Sequence, residues 1–317
     1  MKEKPYEPLL ERELQVAYVK EYFSDIIDVM RDMTNYGTNL IVRCFATGER
    51  KLEDAIILGV VVRQAVAMFD AFEILISNAA VYPARLQARA LFEASLYLQW
   101  ILKDDTAIKA KYYYVSNVRQ EKIWVLRTQA GSAENIAFEQ AMVPFGDTFS
   151  KTAKSLESEG KKYLEEINRV LSQKEFQKIN KAIDKYKKDK KLKFEPAWYA
   201  LFGIPSVRQL ANKLNRLHEY EIFYPMSSDA MHSSKHKSHV KFEGSRIHFQ
   251  PIRYLEGIRE ILNFSVSTII RVFMDVLRHY RYEELDSFRK KYIEDWRMPF
   301  LSIKSVKYID SKPAMTI

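Results

Sequence analysis

The run AIILGVVVRQAVAMFDAFEILISNAA, Ala55 to Ala80, decides the fold. It is too long for a strand, so it reads as part of one helix from Leu52 to Ala80. A helix apolar on nearly every side belongs in the middle of a bundle. Arg63, Asp70 and Glu73 interrupt it. At a bilayer centre such groups would each cost about 2.5–3.5 kcal/mol. The run is therefore read as a buried core helix, with no membrane partner.

Working outward, Pro83 suits a first helical turn and opens ARLQARALFEASLYLQWILK, Ala84–Lys103. Leu86, Ala90, Phe92, Leu96 and Trp100 form its core side. Arg85, Arg89 and Glu93, at i, i+4 and i+8, make a polar strip on the same helix. Residues 7–46 read as one or two helices, with Gly37 weakening the pattern near a restart at Asn35 or Thr38. Asp105 is placed as the cap of a helix reaching about Gln129. From Gly131 to Lys193 the apolar spacing thins, and two or three exposed helices form a peripheral arm.

Ser206 opens a helix through His218, Pro225 breaks the chain, and Met226 to about Lys237 is a further short helix. HVKFEGSRIHFQ, His239–Gln250, alternates around Gly244 as a small β-hairpin would. Arg253–Arg281 is the last long helix, Glu283 to about Trp296 a short one, and the tail is irregular. The expectation is an all-α multi-helix bundle. Residues 1–130 form its N-terminal half, 131–193 the basic arm, 194–298 its C-terminal half and 299–317 the irregular tail.

Composition bounds the function. The 317 residues include 9 Gly, 10 Pro and a single cysteine, Cys44, so no intramolecular disulfide forms. A reducing cytoplasm is expected, and MKEKPYEPLLERE is charged from its start, unlike a secretory leader. There is no Gly-rich phosphate loop, no Gly-x-Ser-x-Gly elbow and no Cys-x-x-Cys pair. The formal charge is +9, and KAIDKYKKDKKLKF, Lys181–Phe194, contributes seven Lys against two Asp. Two readings fit this run: a solvated helix end, or a surface for nucleic-acid phosphates through Lys187, Lys188, Lys190 and Lys191.

Four of the six histidines, His218, His232, His236 and His239, fall between Trp198 and His239, with Tyr220, Tyr224, Ser227, Ser228 and Asp229. On one continuous helix Asp229, His232, His236 and His239 would line one face but span roughly 15 Å at 1.5 Å per residue. Only an adjacent pair can share one ion, so no metal site and no cofactor are assigned. His232 is the candidate general base, with Tyr224 and Ser228 beside it. A buried histidine satisfied by a hydroxyl fits the same residues. Arg89 and Glu93, polar on an apolar helix, need partners, and the segment around His232 is the natural one. Arg63 is a second candidate for the cluster.

RALFEASLYLQWILKDD (Arg89–Asp105) and PAWYALFGIPSVRQLANKLNRLHEYEIFYPMSSDAMH (Pro196–His232) together resemble a bacterial all-helical family of unknown function. That family joins an Arg-x3-Glu helix to a Tyr-x3-Tyr step and a Ser-x3/4-His segment. The resemblance covers about residues 52–280, with the arm around 131–193 poorly matched. A more distant likeness is to HEPN proteins, helical bundles that include RNA-cutting toxins and phage-defence effectors. Their motif is Arg, four to six intervening residues, then His, on one helix. Here no histidine has an Arg at that spacing, so the likeness implies an Arg from another helix, Arg89.

Three functions follow as expectations. One is a HEPN-like, metal-independent ribonuclease or toxin in defence, with His232 as base and Arg89 stabilising phosphate charge. Another is a non-catalytic module binding nucleic acid or a partner protein through the basic arm. The third is a bundle holding a small ligand near Arg89, Glu93 and His232. A homodimer is compatible with each.

Overall fold

Apolar residues at three- and four-residue steps wind most of the chain into helices. The computed structural model describes residues 4, 6–145, 147–232, 239–243, 246–309 and 312–316. In chain order the helices are α1 (Glu7–Leu10), α2 (Arg12–Thr47), α3 (Leu52–Ile56), α4 (Arg63–Ser77), α5 (Val81–Lys103), α6 (Thr106–Leu126) and α7 (Ala133–Met142). Then come α8 (Asp147–Ser172), α9 (Lys174–Asp189), α10 (Val207–Lys213) and α11 (Leu217–His232). The hairpin β1 (Val240–Glu243) and β2 (Arg246–Phe249) precedes α12 (Ile258–Tyr280), α13 (Leu285–Lys291) and α14 (Arg297–Leu301). A second hairpin, β3 (Ser305–Ile309) and β4 (Lys312–Thr316), follows. The protein is all-α apart from these two antiparallel hairpins, the first with Val240 opposite Phe249, the second with Ser305 opposite Thr316. The tail expected to be irregular thus carries α14 and a hairpin, because Val306–Ile309 is a short extended pattern that sequence reading passed over.

The chain forms two compact units, Met1–Asp104 with Val207–Ile317, and Asp105–Ser206. In the first, α2, α4, α5 and α12 pack on one another. Val19, Phe23, Ile26, Met30, Met33, Leu40 and Cys44 fall on the buried face of α2. Phe69, Phe72, Phe92 and Phe273 are buried to within 1%. Each contributes about 1.5–3 kcal/mol of burial. Gly37 lies inside an unbroken α2, because a Cβ there would sit 2.8 Å from Val66 and 2.9 Å from Phe273. The glycine permits close helix approach and does not end the helix.

The run Leu52–Ser77 is 26 residues long and holds an 18-residue window of mean hydropathy 1.8, which by length and composition suffices to cross a membrane; 50% of that window is buried. It includes a π-helical stretch, Ile57–Val62, and packs on α2 and α5. Glu73 is buried and receives Arg31 at 3.1 Å, whereas Arg63 and Asp70 face outward.

Trp296 closes the far end of this unit. It is fully buried, donates to Asp32 at 2.7 Å, and meets Tyr36 edge-on at 5.6 Å between ring centres.

The second unit has its own core of Val115, Val118, Ile167, Leu171, Phe176, Ile179 and Ile183. On sequence alone Asp105–Gln129 and Pro196–Phe202 are expected in the bundle. Both stretches belong to this unit instead, since α6 packs on α8, α9 and the short turn Trp198–Phe202. Asp105 precedes α6 in a left-handed conformation and makes no side-chain cap. Val207 begins α10, where the first unit resumes.

Candidate functional site

Helix α11 runs antiparallel along α5 and is pinned to it by two arginines. Pro225, expected to break the chain, sits inside α11, so Leu217–His232 is one helix. Packing against α5 outweighs the missing proline N–H. At the start of α11, Arg216 is 1% exposed and donates 2.6 Å from Nη1 to the Ser95 hydroxyl of α5. Its guanidinium grips Glu219 with two bonds, 3.0 and 2.7 Å, and lies 4.8 Å from the Phe92 ring centre. Glu219 also receives Arg271 of α12 at 3.3 Å. Burial alone would raise the Glu219 carboxyl, but Arg216 and Arg271 hold it below the usual carboxylate range.

Farther along, Arg89 of α5 binds Glu93 at 3.0 Å and donates to the Tyr224 hydroxyl. The guanidinium carbon lies 4.0 Å from the Tyr224 ring centre, and Tyr220 stacks on Tyr224 at 4.3 Å. Arg89 Nη1 also reaches Met231 Sδ at 3.8 Å. Arg89 and Glu93 side chains are 16% and 25% exposed, so the centre touches solvent. Burial pushes the Tyr224 phenol up to about 12, and the Glu93 carboxylate pushes the same way against Arg89. Tyr224 therefore keeps its proton at neutral pH while its oxygen accepts from Arg89.

The sequence candidates divide as follows. Arg89, Glu93 and Tyr224 come together, with Tyr220 beside them. Ser228 and His232 lie on the backbone of α11, but their side chains are outside the described residues, as is all of His236. His239 is in a turn beyond α11, exposed, with its ring edge-on to Tyr82 at 4.8 Å. His239 lies outside α11, and the residues 233–238 that join it to His232 are outside the described residues. Among the described residues no three His, Cys, Asp or Glu side chains gather as a metal site requires. Arg63 is exposed on α4, and Ser227 is buried with its hydroxyl on the Phe223 carbonyl at 3.2 Å.

In the second unit Lys187 is committed internally. Its Nζ binds Glu195 at 2.8 Å, beside Arg119 at 2.7 and 3.1 Å, while Arg119 also takes Asp184 at 2.8 Å. Burial would raise Glu195, yet these two cations hold its carboxyl low. Lys188, Lys190 and Lys191 are exposed. The basic surface is therefore built without Lys187.

Sequence reasoning missed Arg216. Its signal was the Arg-x2-Glu spacing in Leu214–Tyr220, which puts both side chains on one side of a helix.

A model of a family of unknown function matches residues 54–245. The chain belongs to DUF5677. No curated protein and no solved structure matches it. The DUF5677 match includes the arginine strip of α5, all of α11 and the second unit, and ends before α12. Both arginine pins of α11 on α5 thus lie within the DUF5677 region, whereas Arg271 lies beyond it.

Proposed function

We propose that this DUF5677 chain is a HEPN-like bacterial defence protein or toxin that cuts RNA. The observation that carries the reading is that Arg89 reaches Met231, the residue before His232. In the proposed reaction the His232 imidazole takes the proton from a ribose 2′-hydroxyl. The freed oxygen attacks the adjacent phosphorus, and the P–O bond to the 5′-oxygen breaks. The products are a 2′,3′-cyclic phosphate and a 5′-hydroxyl, with the proton returned to the leaving oxygen. Arg89 offsets the charge that grows on the phosphoryl oxygens. Glu93 orients Arg89, and the Tyr224 phenol supplies a neutral donor. RNA is the partner implied, and the cytoplasm is the compartment in which it would be met.

The test is cleavage of single-stranded RNA by the purified protein in a chelator, with end-group analysis. His232→Ala and Arg89→Met should each lower the rate by about 100-fold or more, with melting temperature unchanged for His232→Ala. An unmodified protein that leaves RNA intact defeats the proposal.

A second reading, nucleic-acid binding without chemistry, is supported by the exposed Lys188, Lys190 and Lys191. Reversing these three charges should weaken RNA binding and flatten its salt dependence, because fewer counterions are released.

A further inference from the structure

One helical turn before Arg89, Arg85 enters a different space. A cavity of about 480 Å³ opens between the start of α5, Met226 of α11 and the strand-to-helix segment that leads into α12. That size lies within the range of small-molecule sites. Tyr82, His239 and Tyr254 give it three rings, while Met226 and Ile252 give it apolar surface. The formally charged groups among the described lining residues are Arg85, half-buried, and Glu256, exposed. Arg85 thus stands in the wall and Glu256 at the surface, while Glu260 Oε2 lies near the guanidinium, 3.9 Å from the position a Gly257 Cβ would take.

The walls are held by backbone bonds. Gln250 N–H donates to the His239 carbonyl at 2.8 Å, closing the base of the first hairpin. Ile252 N–H donates to the Leu9 carbonyl at 2.7 Å, fixing the next stretch to α1. Gly257 has φ +79, and a Cβ there would stand 3.2 Å from Arg85 Nη2. The glycine thus lets the chain close directly over the guanidinium. Arg85 lies 5.6 Å from the Tyr82 ring centre, and Tyr82 meets His239 edge-on at 4.8 Å. Cation and rings therefore converge in a fixed order: Arg85, Tyr82, His239.

We infer that this cavity binds a small planar aromatic anion, its ring against Tyr82 and His239 and its charged group on Arg85. Aromatic faces favour flat rings, and a guanidinium pairs with carboxylate or phosphate oxygens. A nucleotide and an aromatic carboxylate share this chemistry. The inference uses neither Arg89 nor His232 and stands apart from RNA cleavage.

The experiment is calorimetric titration of the full chain with uridine 5′-monophosphate and with benzoate, against uridine and benzyl alcohol as neutral counterparts. At least one anion should bind saturably and at least about tenfold more tightly than its neutral counterpart. Tighter binding of the nucleotide assigns a nucleotide site, and tighter binding of benzoate assigns an aromatic-acid site. Arg85→Gln should weaken the bound anion by about tenfold or more. Ile252→Glu, at a residue 59% exposed on the rim, should weaken it too while leaving the fold intact, and it decides the matter if Arg85→Gln does not fold. No saturable binding of either anion, equal binding of anion and neutral counterpart, or full affinity in Ile252→Glu overturns the inference.

Discussion

Arg216, just before α11, donates a 2.6 Å hydrogen bond to Ser95 of α5 while both side chains are almost wholly buried. A buried guanidinium is tolerable only because every side of it is answered: Glu219 twice, Ser95 once and the face of Phe92. Arg216→Ala leaves Glu219 with its main partner removed. Stability should fall by about 3–5 kcal/mol, read from urea unfolding. Ser95→Ala should cost less, about 1.5–3 kcal/mol. Equal losses from the two would mean that the ion pair is not what holds α11 on α5.

Tyr224 makes stability depend on alkaline pH. Its phenol is raised from the ordinary value of 10.0 to about 12 in the folded chain. Folding thus favours the neutral form. The contribution is complete below the unfolded value and is lost as pH rises through the folded one. Unmodified protein should therefore lose more stability than Tyr224→Phe between those two pH values. Chemical unfolding of both proteins along that series provides the check, and parallel curves would exclude the effect. Because Tyr280 is also raised by burial, the difference between the two proteins is the quantity to follow.

Gly37→Ala sets two effects against each other. Alanine gains about 1 kcal/mol of helix propensity over glycine. The new methyl would stand 2.8 Å from Val66 and 2.9 Å from Phe273, inside a packed core. Overpacking of that kind costs about 1–3 kcal/mol. The clash should win, lowering the melting temperature. A more stable variant would show that α2 can shift away from α4 and α12.

The lysines of the second unit should separate by role. Lys187→Glu places a carboxylate against Glu195 and should lower the unit's stability, since Glu195 is 9% exposed. Glu at Lys188, Lys190 and Lys191 together should leave the melting temperature unchanged, because all three are exposed. Differential scanning calorimetry distinguishes the two. A stable Lys187→Glu protein would remove the case for treating it apart from its neighbours.

Much of this architecture is legible in the sequence because apolar residues recur at helical steps. The strip Arg85, Arg89, Glu93 is visible for the same reason, and its need for partners points to α11. What fails is whatever depends on the choice of neighbour. The apolar residues of α6 announce a buried face without saying that α8 and α9 cover it. Pro225 is a correct local warning overruled by packing. Arg216 looks like any arginine on an amphipathic helix, and only the position of Ser95 and Glu219 buries it. The hairpin at Ser305–Thr316 is too short for its alternation to stand out.

The chain leaves the first unit at Asp104 and returns to it at Val207. During synthesis, the second unit therefore emerges whole before α11 and α12 exist. The N-terminal helices must wait for their lid: Phe92 meets Phe264 of α12, 5.3 Å away between ring centres, only after the excursion is complete. Growth from Asp104 to Ile258 takes roughly 8–30 s at 5–20 residues per second. For that interval the apolar sides of α4 and α5 stand open on the ribosome, a period of exposure to chaperones and to aggregation that an uninterrupted bundle of these helices would shorten.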